Sequence, residues 1–255
     1  MSKKDLISVV IPYHKKKDFF QETINSIKRQ SYKNFEILII YDDDDKSELK
    51  YVKRILKTLK FKNKLIVNDK IIGAGPSRNK GIKVSKGNYI AFCDADDIWK
   101  RNKLNYQLKF MKSKKIDFSH SNYSIIDVYS KSIGKFIVPK YIFPEELIKS
   151  CDIGLSSVMV SKKLMNKKLF SNLKTKEDYL LWINLIKYTK LFLGINKNLV
   201  SWRSSKNSLS GSNFQKLKDA FVLYRNHLDF SFLFSIFCVS RLTLNALKKK
   251  IKMYS

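Results

Sequence analysis

The chain has 255 residues, with 51 Lys and Arg against 22 Asp and Glu, a formal net charge of +29, 44% hydrophobic residues, 8 Gly and 4 Pro. That apolar share supplies enough surface for a core, which excludes a disordered basic tail, and the few Gly and Pro exclude collagen-like and linker-rich chains. The length suits one large domain, or a domain with an appendage.

A basic surface attracts polyanions. Here 44 of the 51 cations are Lys, spread along the whole chain, whereas readout of phosphates and bases relies on the planar fork of Arg. Solvated Lys-rich faces therefore account for the charge better than nucleic-acid binding, and no nucleic-acid partner is expected. An anionic membrane surface is a third partner consistent with the charge. Cys93, Cys151 and Cys238 form no CxxC pair, and His14, His120 and His227 are isolated. This favours a reducing cytoplasm, without a disulfide framework or zinc site. The polar start, Met1 to Asp5, does not read as a signal peptide.

In chain order, Leu6–Pro12 (LISVVIP) reads as a strand buried on both faces, and 18–30 as a helix with Phe20, Ile24 and Ile27 on one side. Phe35–Tyr41 is a second buried strand, about 47–60 a Lys-rich helix, and Lys64–Val67 a third strand. Pro76–Ser85 is a helix with Pro at its start, and Asn88–Cys93 a fourth strand. Four strand–helix alternations predict an α/β domain with a mostly parallel sheet and right-handed crossovers. The second half is more elaborate. A helix near 101–113 precedes irregular alternation over 116–138, then a short helix 144–150, a strand 156–160 and an apolar helix 177–188.

Ligands of such sheets bind beyond the carboxyl ends of the strands. Two strands end there in acidic runs, Asp42-Asp43-Asp44-Asp45 and Asp94-Ala95-Asp96-Asp97, which hold seven aspartates between them. Turn formation and helix capping explain one or two Asp per loop but explain four in succession poorly. Carboxylates at Asp94 and Asp96 without His or Cys suit a hard cation, Mn²⁺ or Mg²⁺, whose shell substrate phosphates complete. A dinucleotide fingerprint at Gly73-Ala74-Gly75 fails, because Arg78 replaces the third Gly and the block does not open the first βα unit. No P-loop is present.

These segments resemble glycosyltransferase family 2, the inverting enzymes of GT-A fold. The resemblance rests on SVVIPYHKKKDFFQETINSIKRQSYKNFEILIIYDD, GAGPSRNKGIKVSKGNYIAFCDADDIW and KEDYLLW. It runs almost without gaps from about Ile7 to Trp99, then in patches to about Ser210. It implies a three-layer αβα sandwich over 1–229, with a nucleotide-binding half to about 113 and an acceptor half over 114–229.

The resemblance also implies roles. Pro12 and Tyr13 would line the nucleotide pocket, Asp43 would meet the base, and Arg78 would lie near the nucleotide. Asp94 and Asp96 form the DxD motif, with Asp96 on the metal and Asp94 towards the ribose or the metal. Asp178 of the ED pair would be the general base, and Arg203, in SWRSSKNSLS, would approach the diphosphate. The family's IP-T-Y-N and D-D-G-S blocks are altered here to Tyr13, His14, Lys15 and to Asp42–Asp45, which loosens the implication of a uridine donor. His14 reads either as a pocket residue or as a surface-loop histidine. Trp99 and Trp182 read as core residues or as walls of a sugar site. The Q-x-x-R-W motif of processive members is missing, so transfer of a single sugar is expected, in bacterial surface polysaccharide, lipopolysaccharide or capsule synthesis, to a glycan or lipid-linked acceptor. A sugar-phosphate nucleotidyltransferase would need a basic triphosphate loop near the first strand, and none is evident.

From Phe230 to Ser240 eleven residues are uncharged, too few to span a bilayer, which takes about 20. Lys248, Lys249, Lys250 and Lys252 follow. Residues 230–255 thus read as a helix that either lies on the inner face of an anionic membrane or closes the core.

Overall fold

A computed structural model describes residues 5–204 and 213–254. The strands are β1 (Ile7–Tyr13), β2 (Phe35–Tyr41), β3 (Lys62–Val67), β4 (Tyr89–Phe92), β5 (Ile98–Trp99), β6 (Phe118–Ile126), β7 (Ser132–Phe136), β8 (Tyr141–Ile142), β9 (Met159–Ser161) and β10 (Phe192–Arg203). The helices are α1 (Lys17–Lys28), α2 (Lys46–Lys57), α3 (Ala74–Val84), α4 (Lys103–Lys114), α5 (Pro144–Leu147), α6 (Lys162–Met165), α7 (Glu177–Thr189), α8 (Asn213–Val222) and α9 (Phe232–Tyr254).

All ten strands join one sheet in the order β3-β2-β1-β4-β9-β6-β10-β5, with β7 on β6 and β8 on β10. Strands β3, β2, β1 and β4 run parallel, as four βα alternations require, and β6 is parallel to β10. Antiparallel β9, between β4 and β6, joins the two parallel sets. The excursion over 116–138 is the antiparallel pair β6–β7.

The expected continuous apolar strands occur because both sheet faces are covered. Side chains alternate across a strand. Val10, Leu38 and Ile40 thus enter one core with Ile82 of α3 and the apolar side of α7. Val9, Ile11, Ile37 and Ile39 enter the other, with Phe20 and Ile24 of α1, Val52 of α2 and Leu104 of α4. This is the three-layer αβα arrangement. Trp99 (3% exposed) and Trp182 (0%) belong to these cores, so the reading of them as sugar-site walls does not hold.

Close packing fixes Gly81. A Cβ there would lie 2.6 Å from Val10 Cγ1 and 2.8 Å from Ile40 Cδ1. Gly81→Ala is therefore expected to lower folding stability by about 1–3 kcal/mol in urea titrations, through forced separation of α3 from β1 and β2.

Candidate active site

The carboxyl ends of β1, β2 and β4 meet at one edge, where the two acidic runs lie. The first run organises backbone. Asp42 accepts from Asn68 Nδ2 (2.8 Å), Ile72 N (2.8 Å) and Gly73 N (2.7 Å). Those bonds hold the approach to α3, where Gly73 has φ +92°, a region that favours glycine. Asp43 accepts from Lys15 N (2.7 Å), Asp44 N (2.9 Å) and Asp45 N (3.2 Å), and its side chain has no exposed surface. Asp45 caps α2, accepting from Ser47 N and Glu48 N. Three of the four aspartates thus serve turns and caps, which corrects the inference that four in a row exceed such needs. The Asp43 carboxylate has no open face for the expected contact with a base in this arrangement. His14 Nδ1 lies 2.7 Å from Asp42 O and 3.4 Å from Asp43, so it belongs to the same loop junction.

Tyr13 also departs from expectation. It is fully buried, stacks on Tyr41 at 5.3 Å and donates its hydroxyl to Glu48 Oε2 at 2.6 Å. The strand alternation that leaves Pro12 half-buried sends Tyr13 into the core, so it cannot line a nucleotide pocket.

The second run is tied to the first turn of α7. Asp94 follows β4, its N–H held by Ser156 Oγ at 2.9 Å, and its carboxylate meets Arg78 Nη2 at 2.8 Å. Arg78 Nη1 donates to Glu177 Oε1 at 2.8 Å, so one buried guanidinium ties the DxD segment to the first turn of α7. This places Arg78 as a positioning residue for Asp94. Asp178 is half-buried at the start of α7 and accepts from Tyr179 N at 2.7 Å. The preceding loop is pinned by Asp219 of α8, which takes Thr175 N (2.7 Å) and Thr175 Oγ1 (2.8 Å).

Burial is the leading influence on the carboxyls here, and their neighbours modify it. Burial raises the Asp96 carboxyl above its ordinary value, the Lys16 ammonium 2.6 Å away draws it back, and the Asp94 charge adds to the rise. Buried Asp97 is raised further by burial and then by Asp96 and Asp94. Glu177 is raised to about 7, first by burial and then by Asp178, against the pull of Arg78. Asp178 is raised by burial and drawn down by Arg78.

Among the described residues, no group of three or more His, Cys, Asp or Glu stands where it could hold a metal ion. The oxygen-only pair Asp94 and Asp96 still fits a hard cation that substrate phosphates help to coordinate. The carboxyls repel one another, and an ammonium, Lys16, already sits on Asp96. Sequence reasoning missed Lys16 and Ser156; only the position of Lys16, just before a helix at a strand end, hinted at a role.

Arg203 does not join this site. Its Nε donates to Asp96 O (2.9 Å), Nη1 to Asp127 O (2.8 Å) and Val128 O (3.3 Å), and Nη2 to Glu22 Oε2 (2.6 Å) and Ser130 Oγ (3.0 Å). Its backbone N–H donates to Asp97 Oδ1 at 2.9 Å. All five guanidinium hydrogens are engaged and the side chain is 0% exposed. The expected approach to a diphosphate is corrected: Arg203 clamps β10 to the DxD loop. Residues 205–210 of the block containing it lie outside the described residues.

Beside Asp94 a cavity of about 350 Å³ opens, bounded by Asp178, Lys176, Trp202 and the inner side of α9. That volume lies at the small end of the range of ligand sites.

The chain matches the model of Glycosyl transferase family 2 over residues 8–173. It is 34% identical over 215 residues, 84% of this chain and 83% of the relative, to the Escherichia coli UDP-Glc:alpha-D-GlcNAc-diphosphoundecaprenol beta-1,3-glucosyltransferase WfgD. S. aureus TarS (residues 1–349) in complex with UDP-GlcNAc superposes with TM-score 0.69 at 17% identity, over 91% of this chain and 70% of that one. The mannosyltransferase PcManGT from Pyrobaculum calidifontis, in complex with GDP-Man and Mn²⁺, gives TM-score 0.69 at 11% identity, over 90% and 66%. The two structural likenesses show a shared fold, GT-A.

Proposed function

The chain belongs to glycosyl transferase family 2 and is a glycosyltransferase, and from that premise we propose that it moves a single sugar, with inversion, from a nucleoside-diphosphate sugar to a hydroxyl of a lipid-linked glycan. One observation carries this reading: Asp94 of the DxD segment and Asp178 of the ED pair border one cavity at the carboxyl edge of the sheet. A uridine donor is the first class to test, because TarS binds UDP-GlcNAc and WfgD is named for UDP-Glc. WfgD is also named for a diphosphoundecaprenol acceptor, which supports a membrane-borne acceptor in surface polysaccharide synthesis.

In this reading Asp94 marks the donor end of the cavity, with Asp96 of the same DxD segment beside it. Asp94 and Asp96 would hold a divalent cation, which would supply neutralising charge for the departing diphosphate; the neighbour PcManGT is in complex with GDP-Man and Mn²⁺. Asp178 accepts the proton of the acceptor hydroxyl as the new oxygen–carbon bond forms at the anomeric carbon and the carbon–oxygen bond to the diphosphate breaks on the opposite face. Burial raises the basicity of Asp178. Arg78 fixes the separation of the two sides by bridging Asp94 and Glu177.

Calorimetric titration of a panel of nucleotide sugars, with and without Mn²⁺, tests the donor site. At least one donor should bind, tighter with Mn²⁺, and Asp96→Ala should weaken Mn²⁺-supported binding by about tenfold or more through loss of a cation ligand. Equal affinity in wild type and Asp96→Ala with Mn²⁺ would remove Asp96 from the metal site.

A further inference from the structure

Helix α9 has two different faces. Ser235, Cys238 and Leu242 are buried against the domain. Lys249 Nζ donates to Cys151 O at 2.8 Å and lies 3.6 Å from Asp152. The C-terminal end is seated on β7, where a Cβ on Gly134 would come within 2.1 Å of Met253 O. This inner face, with Leu242, Ala246, Lys249 and Lys250, is also a wall of the cavity that holds Asp178. One face of α9 thus packs on the domain.

The other face has no cover. Leu233 (78% exposed), Phe237 (54%), Leu244 (59%), Leu247 (55%) and Ile251 (74%) follow one another, with Ser240, at alternating steps of four and three residues. Such spacing draws one line along a helix, here of 23 residues and roughly 34 Å. At about 100° per residue, exposed Arg241 and Lys248 flank that line. The helix contains no Asp or Glu. No helix among the described residues is long and apolar enough to cross a membrane.

We propose that the outer face of α9 seats the protein on an anionic membrane surface, with the apolar line in the headgroup region and the flanking cations on lipid phosphates. Charge decides between lipid and a second copy. Two copies would each bring +29 and basic flanks with no acid to pair them, whereas an anionic leaflet complements both features. Because the inner face of α9 walls the catalytic cavity, the same docking holds that cavity beside the leaflet. Delivery of an acceptor from the leaflet rests on the lipid-linked acceptor proposed above; the docking does not.

The test is co-sedimentation of the full chain with vesicles of phosphatidylcholine alone or mixed with phosphatidylglycerol. Wild type should bind the anionic vesicles, and less so as salt rises. Leu244→Glu/Leu247→Glu, which changes two exposed positions that do not line the cavity, should weaken binding about tenfold or more with an unchanged melting curve. Equal binding of both proteins, or no binding by wild type, overturns the proposal. A wild-type dimer that this variant converts to monomer overturns it in favour of a second copy. Docking without transfer to any lipid-linked acceptor would leave the docking standing and refute the acceptor reading.

Discussion

Asp178→Asn should keep its fold and donor binding yet lose acceptor-dependent turnover by about 10²–10⁴-fold, the usual range for a lost general base. The amide preserves size and can still accept from Tyr179 N. It cannot take a proton from the acceptor hydroxyl. The wild-type pH profile gives a second check. A base works only when deprotonated, and burial raises the Asp178 carboxyl above its ordinary value. Activity should therefore fall, as pH is lowered, at a higher pH than an exposed aspartate would set. Turnover of Asp178→Asn at the wild-type rate, or an acid limb at the ordinary carboxylate position, would assign the proton to another group.

Arg203→Met should be among the most destabilising single changes in the chain. It leaves Asp96 O, Asp127 O and Ser130 Oγ without their donor and strips Glu22 of its cation, while only methylenes replace the guanidinium. Glu22 is 43% exposed, so the cost falls mainly on the orphaned acceptors around the buried guanidinium, about 1–3 kcal/mol each and about 3–5 kcal/mol together. For a chain of this size that corresponds to a melting temperature lower by roughly 10 °C. Donor affinity of the folded fraction should change little, because no guanidinium hydrogen remains for a diphosphate. A normal melting temperature with a large loss of donor affinity would instead restore Arg203 to the nucleotide site.

The contrast between Asp178 and Arg203 shows what the sequence made readable. The parallel half was legible because LISVVIP and FEILIIY are short, β-branched and unbroken, and a strand covered on both faces has that composition whatever its neighbours. Motif order singled out Asp94, Asp96 and Asp178, and the structure brings two of them, Asp94 and Asp178, to one cavity. Strand β10 was not legible. Its run FLGINKNLVSWR is interrupted by polar residues where its pairing with β6 shifts register, so it carries no steady period. The Arg203 clamp depends on Glu22, 181 positions away, and no local pattern announces such a partner.

The first acidic run was misjudged for a related reason. Whether a carboxylate serves a ligand or the backbone depends on where N–H groups point after folding. Ile72 and Gly73 reach Asp42 from a different loop. Tyr13 shows how one position decides a face, since the strand alternation turns it into the core beside a half-buried Pro12. In α9 the spacing of three and four was visible in the residues. Which side faced the domain was not, because Cys238 and Leu242 differ little in character from Leu244 and Leu247.

Release of nucleoside diphosphate from a panel of nucleotide sugars, with Mn²⁺ and a lipid-linked glycan acceptor, tests the central claim most directly. Transfer built on Asp94, Asp96 and Asp178 predicts acceptor-dependent release from at least one donor by wild type, and its loss by two or more orders of magnitude in Asp178→Asn. Absence of release from every donor, or equal release by the two proteins, would contradict it.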